Sequence, residues 1–432
     1  MTAERKKELI LSIIMKSFIV AGGIVGLAST FFMSSLPVPG NELLYYTVQS
    51  NIWIWTVMVA FLVLDVVALC SGKEWVIPNW LRLVKYVFTV AITLTCFVYN
   101  FVLFPVSLMG NDPSNPLMLS SFFTHIFVPV LSIADYIRFD YKLKVKKWTI
   151  LLGITTPLYY FMFAIAGSFL GASFKNGSKF PYFFLDFEKY SWFGFKGMPG
   201  VFYWIWIVLG VVLLISWLLL KIANKRKNGE KLKEFKRFRA NYAFDYEILT
   251  EKEDGVFLGN VCIEDKNGNK LFEGDDFINT SYASKNSISK VLSNLYPHSF
   301  VFRGKKVASI EGVLQGIKYK DKQLQNKVIS LSGLDAYHSR ACNRNEFWGE
   351  SGILYWQGKE IKRNSQVYQD FLDELYFCAA KNPIYRKAIL STGNKKLIHH
   401  IGCTDESQTV LSRKEYEWRM AALREFLRKD KE

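Results

Sequence analysis

The sequence has few cysteines and none of the short motifs typical of redox, metal or phosphate sites. The six cysteines form no CxxC pair and no metal-ligand spacing; they stand at positions 70, 96, 262, 342, 378 and 403. Disulfides are therefore not expected, and the soluble part is typical of a reducing compartment. No GxGxxG or P-loop sequence occurs, and we expect neither a cofactor nor a metal ion. No cleavable signal peptide is evident, because the first apolar run is long and interrupted by Lys16.

Charge is also scarce within six long apolar stretches of the N-terminal half. Each approaches the roughly 20 residues that cross a bilayer core; they are 9–33, 46–70, 82–106, 117–137, 149–171 and 201–222. The composition changes abruptly at Lys221–Lys233, after which the sequence is typical of a soluble protein. The sequence thus predicts a six-span transmembrane domain (1–222), a basic juxtamembrane linker or helix (223–245) and a soluble, mostly α (α+β) domain (246–432).

Lysine and arginine are absent from the first and third loops, 35–44 and 107–116. They are enriched at the N-terminus, in the second and fourth loops and after the sixth span. Because cytoplasmic loops carry the excess of basic residues, this alternation predicts a multi-pass membrane protein with both termini in the cytoplasm. The fifth loop carries four lysines, but longer loops weigh less in this rule.

The segment 225–245 is basic and aromatic and contains Lys-Leu-Lys-Glu-Phe-Lys-Arg-Phe-Arg. We expect a helix that lies on the inner lipid headgroups, with the bilayer as its partner. A nucleic-acid-binding arm is the alternative interpretation. The net charge of +16 agrees with either.

Polar side chains within the predicted spans are candidates for function, because lipid does not solvate them. Thr47 opens the second span together with Gln49, and His125 lies one turn before a proline in the fourth span. An imidazole beside a hydroxyl predicts either a site or an interhelical hydrogen bond. Asp65 and Asp135 lie towards span ends, where pairing with Lys73 or Arg138 is the simpler interpretation.

Several short motifs in the predicted spans resemble a known membrane-protein family, and the resemblance covers about residues 8–222. Tyr46-Thr47-Val48-Gln49-Ser50-Asn51, Thr124-His125 and Val128-Pro129-Val130 resemble the androgen-inducible/FAR-17a (Pr6Pr-like) six-span family and its bacterial relatives. The resemblance implies an intramembrane hydrolase of fatty-acid esters of hydroxy fatty acids, with Thr47 as nucleophile and His125 as base. It also implies a lipid ester as substrate and the bacterial plasma membrane as location.

The soluble half begins with alternating segments at 246–282, where Asn267-Gly268 predicts a hairpin turn. Beyond residue 308 the sequence predicts helices at 308–319, 322–332, 364–381, 383–391 and 412–429, with Asn382 capping the helix that Pro383 begins. The histidines His399-His400 are interpreted as structural.

Glu311, Gln315 and Lys318 share one face of the first of these helices. The spacing leaves room for a ligand between the carboxylate and the ammonium group. A solvated face with an ion pair is the alternative.

A second resemblance covers about residues 285–428. Leu292-Ser-Asn-Leu-Tyr-Pro297, Glu311…Gln315…Lys318-Tyr319, Leu354-Tyr-Trp356 and Asn382-Pro…Arg386 resemble the NADAR superfamily, which includes the YbiA-like N-glycosidases. It implies hydrolysis of the N-glycosidic bond in ADP-ribosylated guanine of nucleic acid or in ribosylamino-pyrimidine phosphates of the riboflavin pathway.

The NADAR resemblance also implies residue roles. Glu311 is the expected general acid/base, Lys318 the amine that attacks the opened ribose, and Trp356 a stacking wall. Further substrate-binding residues are Asn294, Tyr296, Gln315 and Asp405. The sequence departs from the family pattern at Gly312, where many members have histidine, and it lacks a late Trp-Gly-Asp, for which Asp405 is the candidate acidic residue.

The resulting hypothesis is a membrane-tethered N-glycosidase of NADAR type. One alternative is a non-catalytic ADP-ribose or nucleotide sensor coupled to the membrane domain. The other is the intramembrane Thr/His ester hydrolase with a regulatory tail.

Overall fold

The computed structural model divides the chain into two compact units, Met1–Asn228 and Gly229–Glu432. It describes residues 1, 3–32, 36, 40–73, 76–105, 119–174, 177–195, 198–244, 250–251, 262–264, 270–339, 348–399 and 402–429. The third loop and the hairpin turn expected at Asn267-Gly268 lie outside the described residues. The boundary between the units falls inside the segment 223–245, which was expected to be a linker or helix and is helical to Ala240.

Among the described residues, six helices of the first unit are long and apolar enough to cross a bilayer. They are α1 (Ala3–Phe32), α2 (Tyr46–Ser71), α3 (Asn79–Leu103), α4 (Leu119–Arg138), α5 (Trp148–Phe169) and α6 (Val201–Ala240). π-Helical turns interrupt α3 at Tyr99–Leu103 and α4 at Phe123–Phe127. Short 3-10 turns at Asn41–Leu44 and Phe183–Leu185 and a helical turn at Phe187–Tyr190 lie between the long helices. The six predicted spans are confirmed as long apolar helices, and the sixth continues beyond its predicted end at residue 222 to Ala240.

Burial in the first unit is inverted relative to a water-soluble protein. Large apolar side chains are more than half exposed on several helices, including Phe18, Val63, Met162 and Trp206. Polar side chains are fully buried instead, including Lys16, Ser50, Lys85 and Asp135. Since a lipid solvent takes apolar side chains and rejects ionised ones, this distribution fits a membrane unit.

The buried charges of this unit pair with one another. Lys16 of α1 lies 3.0 Å from Asp65 of α2 and 3.1 Å from Asp135 of α4. Lys85 of α3 contacts both Asp135 and Asp140. The partners expected for Asp65 and Asp135 were therefore wrong, and Arg138 pairs instead with Glu8, at 2.6 Å. The ion pairs tie α1, α2, α3 and α4 together.

The second unit combines short strands with helices. Its strands are β1 (Thr250–Glu251), β2 (Cys262–Glu264), β3 (Lys270–Phe272), β4 (Phe277–Asn279), β5 (Phe300–Phe302), β6 (Lys305–Val307), β7 (Ile353–Trp356), β8 (Lys359–Lys362) and β9 (Lys396–Ile398). Its helices are α7 (Ser287–Leu292), α8 (Ile310–Gly316), α9 (Lys322–Ile329), α10 (Gly333–His338), α11 (Trp348–Ser351), α12 (Gln366–Ala379), α13 (Pro383–Ser391) and α14 (Arg413–Lys429). The five predicted helices are confirmed, and Asn382 caps α13 through the amides of Ile384 and Tyr385.

Strands also lie beyond the alternating segments predicted at 246–282. β4 pairs in parallel with β9, which comes about 120 residues later, and β1, β2 and β3 form an antiparallel sheet. β5–β6 and β7–β8 are antiparallel hairpins whose turns are Arg303–Gly304 and Gln357–Gly358. All four turn residues have positive φ, as a two-residue primed turn requires. Glycine stands second in each turn, so the hairpin signal was present in the sequence.

The basic segment expected on lipid headgroups is the C-terminal part of α6, which continues without a break to Ala240. Phe235 is fully buried in the core of the second unit, and Leu232 and Phe238 pack against that core. The aromatic face therefore contacts protein, while the contact of the basic residues with lipid headgroups stays a prediction. Arg239 forms a bidentate ion pair with Asp373 of α12, which also accepts from Arg419 of α14.

We expect Asp373→Asn to destabilise the second unit by about 3–5 kcal/mol, because it leaves two buried guanidinium groups without a carboxylate. The measurement is urea-dependent proteolysis of the full chain in detergent, followed at fragments of Gly229–Glu432. Asp370→Asn is the matched control, since Asp370 pairs with Lys236 in a half-exposed position and its loss should cost at most about 1 kcal/mol. Equal effects of the two substitutions would contradict the role given to Asp373.

Candidate active site

Glu311, Gln315 and Lys318 form a hydrogen-bonded row along α8 and the turn that follows it. The Gln315 amide nitrogen donates to Oε1 of Glu311 at 2.7 Å. Its amide oxygen accepts from Nζ of Lys318 at 2.8 Å. All three side chains are half-buried. A single amide thus holds a carboxyl group and an amine on one face, in what we call the Glu311 row.

Two hydrogen bonds fix the start of α8. Ser309 accepts from the amide of Gly312 and so caps the helix. The Glu311 amide donates to the carbonyl of Asn294 at 3.0 Å. Tyr376, fully buried on α12, donates from its hydroxyl to Oδ1 of Asn294 at 2.9 Å. Asn294 is therefore brought next to Glu311, as predicted, although its amide oxygen is already engaged.

Close packing explains why glycine follows Glu311. A Cβ at Gly312 would lie 3.2 Å from Oγ of Ser309 and 3.4 Å from the carbonyl oxygens of Ile329 and Leu331. A Cβ at Gly316 would lie 2.7 Å from Ile329. A side chain at Gly312 would therefore press against Ser309 and against the backbone of Ile329 and Leu331.

Gln325 is a buried residue that the sequence analysis missed. Its side-chain nitrogen donates to the carbonyls of Gly316 and Tyr355, at 3.0 and 2.9 Å. Its oxygen accepts from the amide of Gln357 in the β7–β8 turn. The Tyr355 amide also donates to the carbonyl of Ile317 at 2.7 Å. Gln325 therefore joins the end of α8 to this hairpin, beside Lys318. A single glutamine on an amphipathic helix gives no motif that would have indicated this.

The surroundings of Glu311 favour its protonated form. Burial raises the pKa of the Glu311 carboxyl above its usual range, and the Gln315 hydrogen bond and the Lys318 charge offset this only in part. A carboxyl with a raised pKa is better suited to act as a general acid than an ordinary glutamate. The neighbouring amine supplies a nucleophile of the type that forms imines with sugars.

The other predicted site residues occupy different environments. Trp356 is 6% exposed, and its ring packs edge-on against Phe302 and Phe371 in the core. Tyr296 is half-buried, with its ring 5.9 Å from that of His298. Asp405 is exposed, and Ser407 lowers the pKa of its carboxyl through two hydrogen bonds. The described hydrogen bonds of Asp405 do not reach the Glu311 row.

In the first unit, Thr47 and His125 lie on neighbouring helices joined by Asn51. The Asn51 amide donates to the carbonyl of Thr47 at 2.8 Å and to that of Thr124 at 3.0 Å. Nδ1 of His125 lies 3.1 Å from the carbonyl of Ser121, and the ring stacks on Tyr99 with centroids 3.6 Å apart. Among the described residues, no hydrogen bond joins the Thr47 hydroxyl to the imidazole. Asn51 was part of the quoted motif but was not assigned a role.

Thr47 borders an apolar cleft of about 100 Å³ within the first unit. The wall includes Tyr99, Tyr160, Tyr182 and Trp204, with aliphatic side chains of α3, α5 and α6 between them. The hydroxyl of Tyr182 accepts from the amide of Thr47 at 3.4 Å. The Trp204 indole nitrogen is buried and has no hydrogen-bond partner among the described residues. The cleft therefore offers a long apolar surface with few polar groups.

Comparison with known proteins gives a match confined to the second unit. The family described as bacteriophage protein GP30.3 matches residues 286–425, from the start of α7 into α14. The protein named "Uncharacterized 17.1 kDa protein in Gp30-rIII intergenic region", of Enterobacteria phage T4, is 33% identical over 132 residues. That alignment covers 30% of this chain and 84% of the phage protein. No solved structure matches the chain.

We expect Glu311→Gln to stabilise the second unit increasingly as pH rises. Because the pKa of Glu311 is raised on folding, the wild type loses stability between the unfolded value near 4.5 and the higher folded value. The glutamine variant does not undergo this loss. The difference between its urea midpoint and that of the wild type should therefore increase from pH 4 to pH 8. Glu360→Gln, on the exposed strand β8, is the control and should track the wild type. A constant difference between Glu311→Gln and the wild type would contradict this.

Proposed function

The chain belongs, through residues 286–425, to the family of bacteriophage protein GP30.3, and from the Glu311 row within that segment we propose an N-glycosidase. Its substrate would be a ribosylated or ADP-ribosylated base, either ADP-ribosyl-guanine of nucleic acid or a ribosylamino-pyrimidine phosphate. The observation that carries the proposal is a carboxyl group and an amine held by one amide, beside Asn294.

The chemistry of the row supports a displacement at the anomeric carbon. As the bond between C1′ and the base nitrogen breaks, protonated Glu311 donates its proton to the leaving base. Lys318, after its ammonium group has released a proton to solvent, attacks C1′ as the free amine, and opening of the ribose ring gives an imine. Water then adds to the imine with Glu311 carboxylate as base, which returns the free sugar, the amine and the protonated carboxyl. Gln315 orients both groups without entering the reaction.

The aromatic contact to the substrate is reassigned in this proposal. Trp356 contributes its ring to the core, whereas Tyr355, next to it on β7, is half-buried and lies on the opposite face of the strand. The backbone of Tyr355 is hydrogen-bonded to Ile317 and Gln325, so its position relative to Lys318 is fixed. We assign the stacking role to Tyr355. The loop charges predict that both termini lie in the cytoplasm. The Glu311 row would then be in the compartment that contains nucleotides and nucleic acid.

The test incubates the full chain in detergent with ADP-ribosyl-guanine oligonucleotide and, separately, with a ribosylamino-pyrimidine phosphate. Mass spectrometry follows release of ADP-ribose or ribose phosphate. Glu311→Gln should lower the rate by at least about 100-fold, because an acid catalyst is lost. Borohydride added during turnover should attach the sugar to Lys318 through the reduced imine.

Lys327→Met is the matched control for Lys318→Met, because Lys327 is exposed on α9. The control should retain both turnover and the adduct, while Lys318→Met should lose both. Ligand binding without turnover in the wild type would favour the non-catalytic sensor. Neither binding nor turnover with either substrate would refute the proposed function of the second unit.

A second candidate function rests on the position of Thr47 in the wall of the apolar cleft. The cleft suits an acyl chain, and the hydrogen bond from Nδ1 of His125 to a carbonyl leaves the other ring nitrogen as the basic one. For an intramembrane ester hydrolase, a ligand-induced approach of the imidazole to Thr47 is still required.

We expect Thr47→Val to abolish hydrolysis of a long-chain acyl ester presented to the full chain in lipid nanodiscs, because the hydroxyl nucleophile is removed. Release of the fatty acid is the measurement. Thr56→Val is the matched control, since Thr56 lies on the exposed face of the same helix and bonds to the carbonyl of Ile52. Equal activity in both variants would exclude Thr47 as the nucleophile.

A further inference from the structure

The buried ion cluster of the first unit is unbalanced in charge. It contains two amines, Lys16 and Lys85, and three carboxyl groups, Asp65, Asp135 and Asp140. Both lysines and Asp135 are fully buried, and Asp140 is 6% exposed. With every group ionised, the cluster would carry one net negative charge in an apolar surrounding.

Between them, the amines of Lys16 and Lys85 contact all three carboxyl groups. Lys16 lies 3.0 Å from Asp65, 3.1 Å from Asp135 and 3.3 Å from Asp140. Lys85 contacts Asp135 and Asp140 and also lies over the ring of Phe61. Two amines bridging three carboxyl groups neutralise at most two negative charges. An uncompensated charge buried in an apolar medium is costly, and such a group binds a proton instead.

The neighbouring elements supply few other charges. On α3, Tyr86 is buried beside Lys85, and Arg82 lies one turn away, half-buried, where its charge acts on Asp140. On α4, Tyr136 adjoins Asp135, and Arg138 is engaged with Glu8 of α1. Arg82 donates to the carbonyl of Ile77 and, like Arg5 of α1 beside it, is a cation near the cluster that could supply the missing charge.

We propose that the cluster is a proton-binding site of the membrane unit, in which three carboxyl groups share one exchangeable proton. Two observations indicate the path by which this proton reaches the cluster. The side chain of Asp65 is 13% exposed, against 0–7% for the other four. The hydroxyls of Ser132 and Tyr136, on α4 beside Asp135, are buried without a hydrogen-bond partner among the described residues. The proton enters at Asp65 and is shared with Asp135 and Asp140 through Lys16. This assignment does not depend on the proposed glycosidase.

Infrared spectroscopy of the full chain in lipid nanodiscs at pH 7 tests the site through the carbonyl stretch of a protonated carboxylic acid. Labelling the aspartates alone with ¹³C shifts the band of the cluster and leaves any band from Glu311 in place. The wild type should show one such aspartic acid band. Asp65→Asn, Asp135→Asn and Asp140→Asn should each lose it, because two carboxylates then remain for two amines.

Two further variants keep the test decisive if one of these fails to fold. Lys16→Met leaves one amine for three carboxyl groups, and its band should roughly double. Glu8→Gln, at the exposed pair with Arg138, should leave the band unchanged. Absence of an aspartic acid band in the wild type would overturn the proposal. So would a band that appears only in Arg82→Gln, since Arg82 would then be the missing counterion.

Discussion

Pairing of buried charges is the constraint on which both units depend. Asp373 lies between the guanidinium groups of Arg239 and Arg419, and all three side chains are almost completely buried. Three helices, α6, α12 and α14, must therefore pack so that these groups meet, because either guanidinium alone in that core would be strongly unfavourable. The membrane unit obeys the same rule with Lys16 and Lys85, where the surplus of carboxyl groups makes the pairing incomplete.

The same physics separates structural from reactive groups. In the second unit, Glu415 is held ionised by Arg363, which lowers the pKa of its carboxyl despite burial. Glu311 has only an amide and a more distant amine, so burial prevails and the pKa of its carboxyl rises. The pKa values of these two glutamates thus shift in opposite directions, because one has a guanidinium partner and the other does not. The raised pKa makes the Glu311 carboxyl the better proton donor of the two.

Hydrophobic runs and caps predicted much of this architecture. The six long helices, the helices after residue 308 and the face shared by Glu311, Gln315 and Lys318 all follow from local periodicity and capping signals. Long-range contacts did not follow. The parallel pairing of β4 with β9, the buried Gln325, and the partners of Asp65 and Asp135 depend on which distant elements meet, and no local pattern encodes that. Trp356 shows the same limit, since strand alternation does not say which face of β7 the core takes.

The family match does not cover every residue that stabilises the second unit. The matched segment, 286–425, contains Asp373 and Arg419, whereas Arg239 lies outside it, on the helix that begins as the sixth apolar span. Phe235, also outside the match, is fully buried among core residues that lie within it. The 40-residue helix α6 therefore also stabilises the second unit: it supplies the Arg239 cation and the rings of Phe235 and Phe238 to a core most of whose other members lie in the matched segment. Shortening α6 before Phe235 would leave Asp373 with a single guanidinium partner and open an apolar face on α12. The stability of the matched segment in this chain thus depends on residues that follow directly from its membrane helix.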